Sequence, residues 1–216
     1  MTVIQFNVGE TVREGYLAVP PSGRGAGVLF LHAWWGLTDT FKHLCDKLAA
    51  EGFVTFAPDL HHGRVATTIP EATHLIETQD FPAVKATAEA AMHLLQGHAA
   101  VTSDKLKAIG FSMGAGYALV LDGSHPEAFD KIVLFYGGSE GDLSASKAQF
   151  QGHFGTNDEW EPLEYVEKMA APHVELHLYP EVQHWFLEEN QVGYYDVHAA
   201  ELAWERTINF LKGRTN

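Results

Sequence analysis

The sequence predicts an α/β fold: a mostly parallel sheet flanked by helices, with an antiparallel hairpin at its N-terminal end. Three observations predict it. Short apolar runs of strand length alternate with amphipathic segments of helix length, the rhythm of βαβ units. Gly27-Val28-Leu29-Phe30-Leu31 is apolar throughout, as a strand buried on both faces must be. Gly110-Phe111-Ser112-Met113-Gly114 joins a strand-like run to a helix-like one, a G-x-S-x-G turn in the setting that motif needs. The chain has 216 residues, 46% of them hydrophobic, with no repeat and no low-complexity linker, and reads as one domain, 1–216.

The elements follow in order. Val3 to Val8 and Glu14 to Val19 alternate loosely around Gly9-Glu10 and read as the hairpin. Pro20 to Gly25 is a turn, and its glycines precede a strand, so they are not a phosphate loop. After the Gly27–Leu31 strand comes a helix from Thr38 to Ala50. Phe41, Leu44, Cys45 and Leu48 share one of its faces, which makes Cys45 a packed residue rather than a reactive thiol. Phe53 to Ala57 is a strand. His61-His62-Gly63-Arg64 reads as a solvated loop, since no metal-ligand set surrounds it. Glu71 to Thr78 forms a short helix. Asp80 caps a longer one that has Pro82 in its first turn and ends at Gln96.

Leu106 to Ile109 is the strand before the G-x-S-x-G turn, and Ala115 to Leu121 the helix after it, stopped by Gly123. Lys131–Tyr136 and Ala148–Phe154 are further strands. Glu161-Pro162 opens a helix to Ala170. Val174–Tyr179 alternates as a strand near an edge, with His177 on its outer side. A last helix runs from Asp196 to Lys212, with Val197, Ala200, Trp204, Ile208 and Leu211 on one face.

Charge and targeting signals narrow the function classes. The net charge of −14 argues against nucleic acid and against an anionic membrane surface as partners. No apolar run is long enough to span a bilayer. Met1-Thr2-Val3-Ile4-Gln5 lacks the basic-then-apolar pattern of a leader, and a lone cysteine cannot form an internal disulfide. A cytoplasmic location is expected.

A serine hydroxyl needs a base, and the base needs a group to orient it. In a strand–turn–helix architecture the order along the chain is serine, acid, histidine, each beyond the C-terminal end of a strand. Asp158 meets that rule for the acid. Glu159 is its main rival, Asp142 lies farther from its strand, and Asp130 is at the wrong end of one. Among thirteen histidines, His184 is the one that follows a late strand by a few residues. The oxyanion hole should use the N–H of Met113 and an N–H from the loop after the Gly27–Leu31 strand. Trp34 is the best candidate there, with Ala33 or Trp35 if the turn shifts by a residue. Trp35, Tyr136, Trp160, Trp185 and Phe186 are candidates for an apolar, substrate-binding wall. No metal site is expected.

Together these segments resemble the dienelactone hydrolase family of α/β-hydrolases over nearly the whole chain. The markers are His32-Ala33-Trp34-Trp35-Gly36, Ala57-Pro58-Asp59-Leu60, Gly110-Phe111-Ser112-Met113-Gly114, His153-Phe154-Gly155-Thr156-Asn157-Asp158, and Tyr179-Pro180 leading to His184-Trp185-Phe186. The resemblance implies the α/β-hydrolase fold and a cofactor-free hydrolase, with Asp158 and His184 as acid and base and Trp34 and Met113 as oxyanion donors. The namesake enzymes carry cysteine where this chain has Ser112, and a glutamate where it has Ala33. They hold a substrate carboxylate with arginines, one of them four residues after the histidine, where this chain has Glu188. Arg64 is the sole arginine between Phe53 and Gln96. A negative Glu188 near the site would repel a carboxylate.

The expected function is therefore a serine esterase acting on small neutral esters or lactones through an acyl-enzyme. A carboxymethylenebutenolidase-like lactone hydrolase is an alternative. An acyltransferase would share the chemistry and change the acceptor. A binding protein on the same scaffold would leave Ser112 unreactive. The segments 58–81 and 185–195, which shape the substrate site, are not legible from pattern.

Overall fold

The hairpin that opens the chain is longer on its second arm than the alternation suggests. In the computed structural model, which describes residues 2–141 and 143–214, β1 (Thr2–Val8) pairs antiparallel with β2 (Thr11–Ala18) from Thr2 opposite Leu17 to Val8 opposite Thr11. Thr11 and Val12 are exposed, so burial imprints no pattern on them, and only the ladder marks them as strand. Asp142 lies outside the described residues.

The chain divides into two compact units, Met1–Ile109 and Gly110–Asn216. In the first, the strands stand in the order β1-β2-β4-β3, followed by the start of β5. β2 pairs antiparallel with β4 (Val54–Pro58), and β4 parallel with β3 (Gly27–Leu31). Every residue of β3 and β4 is buried, the two-sided burial their apolar composition predicts. α1 (Asp39–Ala50) buries Phe41, Leu44, Cys45 and Leu48 as expected. α3 (Phe81–Gln96) takes its cap from Asp80, whose side chain accepts from Ala83 N–H. α2 (Ile69–Glu77) begins two residues before the expected start. Thr68 and Glu71 form a capping box there, and Pro70 stands in the first turn. The unit ends within β5 (Leu106–Phe111).

In the second unit β6 (Phe129–Phe135), β7 (Gln149–Gly155) and β8 (Val174–Tyr179) pair parallel in sequence order, β8 outermost. α4 (Met113–Ser124) runs through Gly123 rather than stopping there. The helix expected over 161–170 is only α5 (Leu163–Val166) and a 3₁₀ turn, Glu167–Met169. α6 (Val197–Lys212) buries Ala199, Ala200, Ala203, Thr207, Ile208 and Leu211. Ala200, Ile208 and Leu211 belong to the expected face, which is wider than expected, with Ala199, Ala203 and Thr207 also buried. Val197, at the start of the helix, is exposed and Trp204 half-buried.

The end of β8 departs from the expected alternation. Leu178 on its apolar alternation is exposed, while Tyr179 is buried and the His177 side chain is only 14% exposed. Thr207 and Arg206 of α6 reach His153 and Tyr179, covering the side that carries polar groups. Parallel strands with flanking helices and an N-terminal antiparallel hairpin are the arrangement the sequence predicts.

Candidate active site

β5 ends at Phe111 and α4 begins at Met113, so Ser112 makes the turn between them. Its φ of 49° and ψ of −113° lie where L side chains rarely settle, a strain of about 1–3 kcal/mol. Its neighbours impose that conformation. Ser112 N–H donates to Phe135 C=O at 2.9 Å, and Ala115 N–H donates to Ser112 C=O at 2.9 Å. A Cβ on Gly137 would stand 2.7 Å from Ser112 Cα, and one on Gly110 2.6 Å from Ala115 N. Two glycines are therefore what let the backbone pass so close to the serine.

The strained turn brings the hydroxyl to His184. His184 Nε2 lies 3.0 Å from Ser112 Oγ, and its Nδ1 lies 2.7 Å from Asp158 Oδ2. A carboxylate only accepts, so Nδ1 carries the hydrogen and Nε2 is left to accept from the hydroxyl. Asp158 Oδ1 accepts from Trp160 N–H at 2.8 Å and Glu161 N–H at 3.0 Å. The carboxylate is thus held at both oxygens. Side-chain exposure is 3% for His184 and 0% for Asp158, so little water competes for these bonds. Asp158 follows β7 and His184 follows β8, in the order expected. Glu159 is exposed, and Asp130 sits near the start of β6.

Glu161 was not foreseen. Its carboxylate accepts from both the N–H and the hydroxyl of Ser139, tying the loop after β6 to the loop that carries Asp158. Burial pushes the Glu161 carboxyl up. A spacing of 22 residues between the two leaves no local pattern that could announce the bond.

The candidate aromatic residues separate. Tyr136, Trp185 and Phe186 are buried about His184: the Tyr136 and Trp185 rings lie 4.9 Å from the imidazole, and Phe186 packs 5.4 Å from Tyr136. Trp160 is 49% exposed, 6.3 Å from the imidazole, and borders a cleft of about 440 Å³ with Leu119, Val120 and Tyr165. Trp35, in the first unit, is buried and packs edge-on to Trp34 at 5.4 Å.

The loop after β3, also in the first unit, is held by two buried histidines. His32 Nδ1–H donates to Ala33 C=O at 2.7 Å, while its Nε2 accepts from Leu60 N–H at 3.0 Å. His61 Nε2 donates to Trp34 C=O at 3.0 Å. The solvated-loop expectation therefore fails for His61, which is wholly buried, and holds for its exposed neighbour His62. Burial draws His61 down to about 4, so it stays neutral. Among the described residues no His, Cys, Asp or Glu side chains gather into a metal-binding group. No helix among them is long and apolar enough to cross a membrane.

Glu188 lies inside rather than facing the site as an exposed acid. It is wholly buried, accepts from Tyr136 O–H at 2.9 Å, and burial pushes its carboxyl up to about 8. Burial thus weighs against a negative charge there.

Comparison with known proteins gives the family. The dienelactone hydrolase family matches residues 13–214. A relative from Aquifex aeolicus, provisionally named a carboxymethylenebutenolidase, is 29% identical, the match covering 97% of each chain. One from Bradyrhizobium, provisionally named a 2-oxo-3-(5-oxofuran-2-ylidene)propanoate lactonase, is 30% identical over 93% of this chain and 89% of its own. A Klebsiella pneumoniae structure described provisionally as a dienelactone hydrolase superposes with a TM-score of 0.83 over 98% of both chains, at 21% identity, which shows the shared fold. This chain is a member of the dienelactone hydrolase family, with the α/β-hydrolase fold, and a hydrolase of ester or lactone bonds.

Proposed function

We propose that the protein hydrolyses small neutral carboxylic esters or lactones through an acyl-enzyme on Ser112. The observation that carries this is the continuous chain of hydrogen bonds from Ser112 Oγ through His184 to Asp158. Ser112 Oγ attacks the carbonyl carbon as its proton passes to His184 Nε2. Asp158 keeps the imidazole oriented and stabilises its cationic form. The tetrahedral oxyanion takes hydrogen bonds from the N–H of Met113, at the head of α4, and from that of Trp34. His184 then protonates the departing alkoxide oxygen, and a water deprotonated by the same nitrogen releases the acid.

Two features support neutral substrates. The chain carries a net charge of −14, and the arginine of the segment between Phe53 and Gln96, Arg64, is exposed with its Nε donating to His61 C=O. Trp160, half in solvent beside the imidazole, is the aromatic residue proposed to meet the substrate. A cytoplasmic location fits the single free, buried Cys45.

Ser112→Ala, assayed on p-nitrophenyl acetate, should fall by at least about 10⁴-fold in kcat. A fluorophosphonate should label the wild type at Ser112 and not the variant. Wild-type turnover in Ser112→Ala would remove the proposal.

A further inference from the structure

Two of the glycines beside Ser112 are forced by the backbone around them, and a third is not. A Cβ on Gly110 or Gly137 would collide with main-chain atoms of Ala115 or Ser112. Gly116 stands inside α4, one turn beyond Ser112, its N–H 3.4 Å from Ser112 C=O. A Cβ there would meet nothing within 4 Å apart from its own stretch of helix. Glycine is the poorest helix former after proline, so this position gives up helix stability and gains no close packing in return. What it leaves is space.

That space belongs to the cleft of about 440 Å³ that Trp160 borders. α4 supplies Gly116, Leu119 and Val120 to it, and Trp160 and Tyr165 come from the segment after β7. Its walls are held in place. Asp158 Oδ1 accepts from Trp160 N–H at 2.8 Å, and Glu161 ties that segment to Ser139 in the loop after β6. Leu119 packs on the same loop, where a Cβ on Gly138 would come within 3.0 Å of its Cδ1 and one on Gly141 closer still. The cleft also adjoins the triad. Gly116 bonds to Ser112, Gly138 follows the glycine that packs on Ser112, and the Trp160 ring lies 6.3 Å from the His184 imidazole. Its volume is in the range of small-molecule sites. Its charged lining residues, Glu140 and Glu161, are acids, which weighs against an anionic occupant.

We propose that this cleft is the subsite for the larger apolar group of the substrate, a ring or a short alkyl chain, and that Gly116 sets which groups enter by leaving the cleft open next to Ser112. This rests on Ser112 and His184 being the reacting pair. A side chain at position 116 would stand where the group lies, and would act on selectivity rather than on the fold.

The test compares methyl acetate with methyl hexanoate and with benzyl acetate, following the acid released at constant pH. The first comparison enlarges the acyl side of the ester, the second the alcohol side. Wild type should show a kcat/KM at least about 10-fold higher for one of the larger esters than for methyl acetate. Gly116→Leu should cut that ratio by at least about 10-fold. Gly116→Ala should unfold at the wild-type temperature or above it, because its Cβ meets nothing. If Gly116→Leu does not fold, Val120→Trp, one turn further along α4, should cut the ratio in its place. Ratios that coincide in variant and wild type, a wild type that prefers neither larger ester, or a Gly116→Ala less stable than wild type overturn the proposal. A folded wild type whose Ser112 takes no fluorophosphonate would instead break the triad reading, a failure visible separately from this one.

Discussion

Two buried imidazoles in the second unit, His184 and His153, have almost the same surroundings by composition and opposite prospects. Each is bonded at both nitrogens. His184 has a carboxylate at Nδ1 and the hydroxyl of a strained serine at Nε2. His153 has the Tyr179 hydroxyl at Nδ1 and the Gln151 amide and Thr207 hydroxyl around Nε2. His153 is wholly buried between the stacked rings of Phe135 and His177, and burial, with His177 and Arg206 nearby, draws it well below the usual histidine range. With no carboxylate to balance a positive charge, it stays neutral and serves as a bracket between β7, β8 and α6. A histidine's chemistry is decided by what sits behind it, not by how many bonds it makes.

The contrast breaks most sharply at Asp158. Asp158→Asn keeps the shape of the side chain but offers an N–H or a neutral oxygen to Nδ1. It should cut kcat by about 10⁴-fold with little change in KM. A loss of only a few-fold would make His184 no different in kind from His153.

The surroundings of His184 can be read thermodynamically through Glu188. Its folded value, about 8, lies above the ordinary 4.5. The folded state therefore holds a proton that the unfolded chain has released between those values. Stability from this group is complete below about 4.5 and is lost as pH rises toward 8. Relative to Glu188→Gln, wild type should lose roughly 1.4 kcal/mol per pH unit between pH 5.5 and 7.5 in urea unfolding. A difference that does not change with pH would mean that Glu188 is ionised in the fold.

The mildest effect belongs to the bracket. His153→Leu leaves the Tyr179 hydroxyl and the Gln151 amide short of a partner in the interior, at a cost of about 3 kcal/mol in unfolding free energy. The kcat of the folded protein should stay within a few-fold of wild type. A fall as deep as that of Asp158→Asn would show that the two networks work as one.

What could be read in advance follows from what local pattern encodes. β3 and α3 were legible, because an unbroken apolar run and an Asp-x-Pro start each state their own structure. That Ser112, Asp158 and His184 come within hydrogen-bond reach was legible because the order of strands and loops is itself a constraint. The start of α2 is also written locally: Thr68-Ile69-Pro70-Glu71 has the pattern of a capping box. On α6 the spacing marks Ala200, Ile208 and Leu211 but not Ala199, Ala203 and Thr207, since small or polar residues carry too little apolar weight to show in a pattern. Nor was the Tyr136–Glu188 bond, which joins residues 52 apart. Glu188 in isolation looks like a surface acid, and only the packing around it buries it and pushes its carboxyl up.

Cys45 offers a practical return. As the single thiol, sealed within the inner face of α1, it is silent toward reagents in the native state. A cysteine introduced at any surface position would be the sole target for a dye or spin label. Under mild denaturant the rate at which the native thiol reacts would count how often α1 lifts from its packing.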